Sequence, residues 1–281
     1  MRTPSHASTP LRILFASHTD VGKRRDNNED SSRCEVLAAG TRHASTLLVV
    51  SDGVGGSKAG EVASGLAVDA LHQILLERLT REEPPGDRRA WLEEAIREID
   101  RRVRAAADQP GRSGMAATLS TLWFAENRAW WGQAGDSRIY CLHKGELRQL
   151  SCDQSPVGRL RAQGELSEEQ ARAHPYRHLI DQCLGGTGPT IVPESGALEV
   201  TPTDIFLLCS DGLSDGLWDK DIARELRLAA AGRSVQETAH ALVERANASS
   251  GKDNITAVVA CASLDQNPEP PAGKSWLRWR R

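Results

Sequence analysis

Two almost identical phrases constrain this chain more than anything else in it: Leu48-Val49-Val50-Ser51-Asp52-Gly53 and Leu207-Leu208-Cys209-Ser210-Asp211-Gly212. Each is a short apolar run, of the length of a buried strand, closed by Ser-Asp-Gly. The apolar run fixes the backbone, and the glycine lets a ligand approach the main chain closely. Two such strands side by side would aim two carboxylates into one cleft. Taken singly, an ordinary turn after a strand is the better reading of either phrase, because Asp-Gly is a common turn signal.

Similar runs predict strands at Leu11 to Phe15, Thr46 to Ser51, Leu119 to Phe124, Ala129 to Ala134, Ile205 to Ser210 and Ile255 to Ala260. From Glu61 to Leu79, apolar residues recur at spacings of three and four, which predicts a helix with one apolar face. Trp91 to Val103 repeats that pattern, and a third helix is expected from Val235 to Ala248. Pro84, Pro85 and Gly86 break the chain between the first two helices and make them an antiparallel pair. Strands on both sides of a helix pair favour an α+β sandwich over an alternating parallel sheet. Pro156 to His178 is polar, with a short helix start at Ser167 to Glu169, and reads as a small surface subdomain. Asp265 to Gly273 reads as a Pro-rich linker.

With 281 residues the chain can bury a substantial core without a staple. Its 35 basic and 38 acidic side chains give no overall pull toward nucleic acid or an anionic membrane. The six cysteines are scattered without a C-x-x-C pair, so reduced thiols are expected. Met1 to Pro10 lacks the apolar run of a secretory signal, no stretch approaches a membrane span, and a cytoplasmic location is the expectation. Lys274 to Arg281 carries four basic groups and two tryptophans. Contact of this tail with an anionic membrane or an acidic partner is conceivable, but an unstructured soluble tail is preferred.

More acids stand at predicted strand ends: Asn28-Glu29-Asp30, Gly135-Asp136-Ser137 and Lys252-Asp253-Asn254. Clustered carboxylates repel one another unless a cation neutralises them or one keeps its proton. Oxygen donors without His or Cys favour magnesium or manganese over zinc. Dispersed caps and solvated turns explain the same acids equally well on pattern alone. Arg25, within Lys23-Arg24-Arg25, reads by itself as a solvated charge.

Taken in order, the phrases resemble the motifs of the metal-dependent protein phosphatase family, also called the protein phosphatase 2C family, and its bacterial members in particular. The matching residues are Thr19-Asp20-Val21-Gly22 and Arg25 to Ser31, then Asp52-Gly53-Val54-Gly55-Gly56 with Gly60 to Ser64. Gly114-Met115 before Thr118, Ala134 to Arg138, the second Ser-Asp-Gly and Asp253 to Thr256 follow. Each motif is weak alone; the ordered series, over about residues 12 to 262, is specific.

The resemblance implies a four-layer αββα sandwich: two packed antiparallel sheets flanked by helices, with two divalent cations, manganese or magnesium, at one end. It implies that Asp52 bridges both metals and that Asp211 and Asp253 ligate the first. Glu29 and the Gly53 carbonyl would ligate the second, Asp30 would hold a metal-bound water, and Asp136 with Asp211 would form a third, weaker site. Arg25 would bind phosphate, and water between the two cations would attack the ester. The implied domain runs from residue 11 to 263, with a mobile flap at about 155 to 178, between a flexible N-terminus, 1–10, and the tail, 264–281.

The implied activity is hydrolysis of phosphoserine and phosphothreonine in proteins, opposing a eukaryotic-like Ser/Thr kinase, by a monomer that binds no nucleic acid. A catalytically silent phosphoprotein-binding module of the same fold is the alternative. Another metal phosphohydrolase, acting on a small ester or one dedicated protein, also stays open. Val54 stands where some relatives carry a histidine proposed to protonate the leaving group, so that acid is unassigned. His174, in the flap, reads as a loop or capping residue rather than a proton carrier.

Overall fold

The apolar runs of the two Ser-Asp-Gly phrases are buried on both faces, and this decides the layering. A computed structural model describes residues 11–54, 58–81 and 87–264. Along the chain run β1 (Leu11–Asp20), β2 (Ser31–Leu37), β3 (Ser45–Ser51), β4 (Gly53–Val54), α1 (Lys58–Thr80) and α2 (Arg88–Ala107). Next come β5 (Ala116–Ala117), β6 (Leu119–Ala125), β7 (Arg128–Ala134), β8 (Arg138–His143), β9 (Glu146–Gln149), α3 (Pro156–Ala162) and α4 (Glu168–Ala173). The chain continues through β10 (Leu184–Gly185), β11 (Glu194–Glu199), β12 (Ile205–Cys209), α5 (Asp211–Gly216), α6 (Asp219–Ala230), α7 (Val235–Ser249) and β13 (Ile255–Leu264).

One five-stranded sheet has the order β1-β13-β12-β8-β9, the other β11-β7-β6-β3-β2, and a small ribbon joins β10, β5 and β4. Every pairing is antiparallel. Successive side chains of a strand point to opposite faces. Thus Leu48 and Val50 of β3 meet Phe206 and Leu208 of β12 between the sheets, where Phe124 and Phe206 pack edge to face at 5.0 Å. Leu47 and Val49 face the other way, against α1 and α2, while Ile205, Leu207 and Cys209 face α5, α6 and α7. The four layers are helix, sheet, sheet, helix, as expected of the α+β sandwich.

Several elements differ from expectation. β1 continues to Asp20 because its polar half pairs with β13 along the full length, Asp20 opposite Ile255. β2, β8, β9, β11 and α6 were not anticipated: β2, β9 and β11 are only partly buried, the apolar run of β8, Ile139 to Leu142, is four residues long, and α6 is a short helix whose buried stripe of Ile222, Ala223, Leu226 and Ala229 was overlooked. Neither Ser-Asp-Gly makes a hairpin turn: Asp52 leads into β4, and Asp211 opens α5, with Ser210 outside the strand. The N-terminus 1–10, Gly55-Gly56, the Pro84-Pro85-Gly86 breaker and the tail from residue 265 lie outside the described residues. All six cysteines are free thiols. Among the described residues, no helix is long and apolar enough to cross a membrane.

Candidate functional site

The register puts every predicted acid at one end of the sandwich. Ser31 pairs with Ser51, Leu119 with Ala134, Cys209 with Arg138 and Asp20 with Ile255. Glu29, Asp30, Asp52, Asp136, Asp211 and Asp253 therefore leave from adjoining strand ends, although they are spread over most of the sequence.

These acids act on one another. Burial pushes Asp52 well above the ordinary carboxylate range, and Asp30, Asp211 and Asp136 push it the same way; its side chain is within hydrogen-bonding reach of Asp211. Asp211 is raised likewise, first by burial and then by Asp136, Asp215 and Asp253. Burial raises Asp30 to about 6 against the pull of two hydroxyls. Those are Thr256, donating to Oδ2 at 2.6 Å, and Ser210, donating at 2.7 Å. The other Asp30 oxygen, Oδ1, is buried without a partner. Asp136 is also raised to about 6, by burial and then by Asp153, with Arg138 opposing.

The surroundings hold the ring of acids in place. Asn254 is the central strut: its Nδ2 donates to the carbonyls of Val21 and Asn27, both at 2.9 Å, and its Oδ1 accepts the Glu29 N–H at 2.8 Å. The Gly53 N–H donates to the Glu29 carbonyl at 3.2 Å, and the Ser64 hydroxyl donates to the same carbonyl. A Cβ on Gly60 would stand 2.5 Å from Glu29 Oε2, so the missing side chain is the space in which that carboxylate sits. Thr118 accepts the Asp52 N–H at 3.0 Å through its hydroxyl and returns its own N–H to the Asp52 carbonyl at 2.8 Å. Arg25 is exposed at the rim, where its Nη2 donates to Asp253 Oδ2 at 2.7 Å. Its pKa is raised, chiefly by that bond.

Oxygen donors, raised carboxylates and an orphaned buried oxygen form a set that fits hard divalent cations. A zinc site of the usual kind would need nitrogen or sulfur that the ring lacks.

Residues 155–178 hold α3 and α4 beside this end. α4 begins with a reciprocal cap between Ser167 and Gln170, and His174 is its C-cap, its Nδ1 accepting the Tyr176 N–H at 3.2 Å. Arg172 binds the Ser214 and Asp215 carbonyls and lies 4.3 Å over the Trp218 ring, tying α4 to the end of α5. Asp136, Asp211, Asp215, Arg161, Arg172 and His178 line the cleft between this segment and the sheets. Val54 pairs with Ala116 in the small ribbon and brings no proton-carrying group.

Sequence reasoning missed Asp215, Asn254 and Thr118 as parts of this arrangement. A signal for Asp215 was present: Ser-Asp-Gly recurs at once in Ser210-Asp211-Gly212-Leu213-Ser214-Asp215-Gly216, placing Asp215 one helical turn after Asp211.

The family model described as protein phosphatase 2C matches residues 17–257. The chain is 40% identical over 255 residues to the serine/threonine protein phosphatase PstP of Mycobacterium tuberculosis (strain CDC 1551 / Oshkosh), covering 90% of this chain and 46% of that protein. It thus spans about half the length of that relative. It is 33% identical over 252 residues to the serine/threonine phosphatase stp of Listeria welshimeri, covering 88% of this chain and 95% of that one. The crystal structure of the catalytic domain of serine threonine protein phosphatase PstP in complex with 2 manganese ions superposes with a TM-score of 0.75 at 36% identity, covering 90% of this chain and 100% of that one.

Proposed function

Since the chain belongs to the protein phosphatase 2C family, whose model it matches over residues 17–257, we propose that it hydrolyses phosphoserine and phosphothreonine esters of proteins. The observation that carries this reading is the cluster of raised carboxylates, Asp30, Asp52, Asp136 and Asp211, each pushed up first by burial and then by neighbouring acids, with one buried Asp30 oxygen left unpartnered. The two manganese ions held by the similar PstP domain support a pair of divalent cations here.

By motif position, Asp52 would be shared between the cations, Asp211 and Asp253 would complete one, and Glu29 with the Gly53 carbonyl the other. Asp30 would act through water, and Asp136 with Asp211 would hold a weaker third. The cations would supply Lewis acidity, lowering the pKa of coordinated water and neutralising charge on the phosphoryl group.

The chain's own residues do the rest. The planar fork of Arg25 binds two phosphate oxygens, and Asp253 keeps it at the rim until substrate arrives. Thr118 fixes the backbone of Asp52 at both amide groups, so the carboxylate is presented in one orientation. Ser210 and Thr256 hold Asp30 by one oxygen, Oδ2, and leave the other, Oδ1, buried without a partner. The substrate pool would come from a eukaryotic-like Ser/Thr kinase, and the working unit would be a cytoplasmic monomer. Residues 11–263 would form the catalytic domain, with residues 155–178 as its flap.

The test is hydrolysis of p-nitrophenyl phosphate and of a phosphothreonine peptide with and without manganese. Turnover that needs added metal and disappears in Asp52→Asn and Asp211→Asn supports the proposal. Full activity in excess chelator rejects it.

A further inference from the structure

Among the described residues, the one place where three metal-ligating side chains bring their donor atoms within 4.8 Å of one another is not the carboxylate ring. It is His18, on β1, with His240 and Glu244, on α7. We propose that these three form a separate cation site, for a borderline transition metal of the zinc class, that ties α7 to the edge strand β1.

The placement follows from two periodicities. His240 and Glu244 are four residues apart on a helix and so lie on one face, one turn above the other. β1 alternates: Ile13 and Phe15 pack toward the inter-sheet core, so Ala16 and His18 belong to the opposite face, which α7 covers. The two imidazole rings stand with centroids 4.7 Å apart, tilted by 46°.

No other role claims these groups. Among the described residues, none of the three side chains makes a hydrogen bond or ion pair. His72 and His143 differ in this respect: each ring is held by a carboxylate, Glu35 and Asp204 respectively.

The donor chemistry selects the ion. Imidazole nitrogen suits zinc, cobalt, nickel and copper, and one carboxylate added to two histidines makes a three-ligand set that leaves a position for water. Magnesium prefers oxygen ligands, so this site and the carboxylate ring discriminate between cations. A tetrahedral shell with bonds of about 2.0–2.1 Å needs donors roughly 3.4 Å apart. The exposed His240 and Glu244 close the difference from 4.8 Å by rotating about their side-chain bonds.

Such a bridge joins the two elements that carry the rim. β1 runs on toward Arg25 and α7 toward Asp253, and the intervening turns already meet where the Lys23 N–H donates to the Gly251 carbonyl at 2.7 Å. Asn247 of α7 donates to Asp20 of β1 at 2.9 Å nearby. A cation one turn earlier on α7 would brace that corner from behind.

The experiment is calorimetric titration with Zn²⁺ at neutral pH in saturating Mg²⁺, for the wild type, the His18→Gln/His240→Gln double variant and Asp211→Asn. The expected result is one Zn²⁺ equivalent bound by the wild type and by Asp211→Asn and missing from the double variant, with a zinc-dependent rise in melting temperature that follows the same pattern. The metal-free double variant should melt as the wild type does, because His18 is only half-buried and His240 is exposed. With Cu²⁺ as probe, electron paramagnetic resonance should show coupling to two imidazole nitrogens that is lost in His240→Gln. Zinc binding unchanged by the double variant, or abolished by Asp211→Asn, overturns the proposal. So does a copper spectrum that His240→Gln leaves unaltered.

Discussion

Arg25 places Nη2 2.7 Å from Oδ2 of Asp253, joining the first motif of the chain to the last. Both partners are well exposed, at 42% and 36% of their side-chain surface, so the pair itself contributes only about 0–1 kcal/mol to stability. Its value lies in holding the guanidinium at the rim of the acidic cleft. Arg25→Ala should leave the melting temperature unchanged and lower kcat/KM roughly 10- to 100-fold, the equivalent of about 1.5–3 kcal/mol in charge-assisted hydrogen bonds. Arg25→Lys should recover little, because an ammonium cannot make the two-pronged contact. Steady-state kinetics on a phosphopeptide checks both.

The raised carboxylates make stability without metal depend on pH in a definite direction. Asp30 and Asp136 sit at about 6, above their ordinary value of 3.8, so the fold favours their protonated forms. Their stabilising contribution is complete below 3.8 and is lost as pH rises through about 6. Asp52 and Asp211 add to the loss in the same sense. Divalent cations reverse it by binding the ionised forms. The melting temperature in chelator should fall between about pH 4 and pH 7, and the gain on adding manganese should grow over the same interval. Thermal melts in matched buffers measure both trends.

Asn254 makes three buried or half-buried hydrogen bonds, to Val21, Asn27 and Glu29. Asn254→Ala leaves two carbonyls and an N–H without those partners; at about 1–3 kcal/mol for the buried Glu29 N–H and less for the two half-buried carbonyls, it should destabilise by roughly 2–4 kcal/mol. Asn254→Asp should fare little better, since a carboxylate cannot donate to the two carbonyls. Urea unfolding would show the loss as a lower midpoint at unchanged slope. A fall in manganese affinity should accompany it, because the Glu29 N–H then loses the bond that helps to place this residue.

The layers were legible because β3, β6, β12 and β13 are buried on both faces, and a run such as Ile205 to Cys209 announces that without any partner in view. The α1 and α2 stripes were legible for the complementary reason, one buried face at helical period. Strands with mixed faces were not: β2 carries Arg33 and Glu35, which reach Asp69 and His72 on α1, and no period records a polar contact of that kind. In the site, carboxylates at strand ends could be read one by one, but their meeting depends on register, and register is a property of pairs of strands. The bracing role of Asn254 was hidden for the same reason, since its three partners lie far off in sequence. The bond between Ser210 and Asp30 was equally hidden: a serine before a helix reads as an N-cap, yet this hydroxyl makes no cap and serves the distant carboxylate.

Gly60 and Gly212 both border the ring, and the same substitution should have opposite outcomes at the two. A Cβ at Gly212 would lie 2.1 Å from the Asn254 carbonyl oxygen, which is backbone pinned between α5 and β13, so Gly212→Ala should unfold the protein or lower its melting temperature severely. A Cβ at Gly60 would meet chiefly the tip of a side chain, Glu29 Oε2 at 2.5 Å, with the Gly53 carbonyl carbon at 3.1 Å. Glu29 can turn away, and alanine is favoured over glycine within a helix by roughly 0.5–1 kcal/mol. Gly60→Ala should therefore keep the fold while displacing one proposed ligand. Manganese affinity should drop about 10- to 100-fold, the range seen when the support of a ligand is removed. Activity at limiting manganese should fall in proportion and return when the metal is raised, whereas loss of fold would not respond to metal. Activity measured across a manganese titration, beside a thermal melt, distinguishes the two; a Gly60→Ala protein with wild-type manganese dependence would show that Glu29 holds no cation.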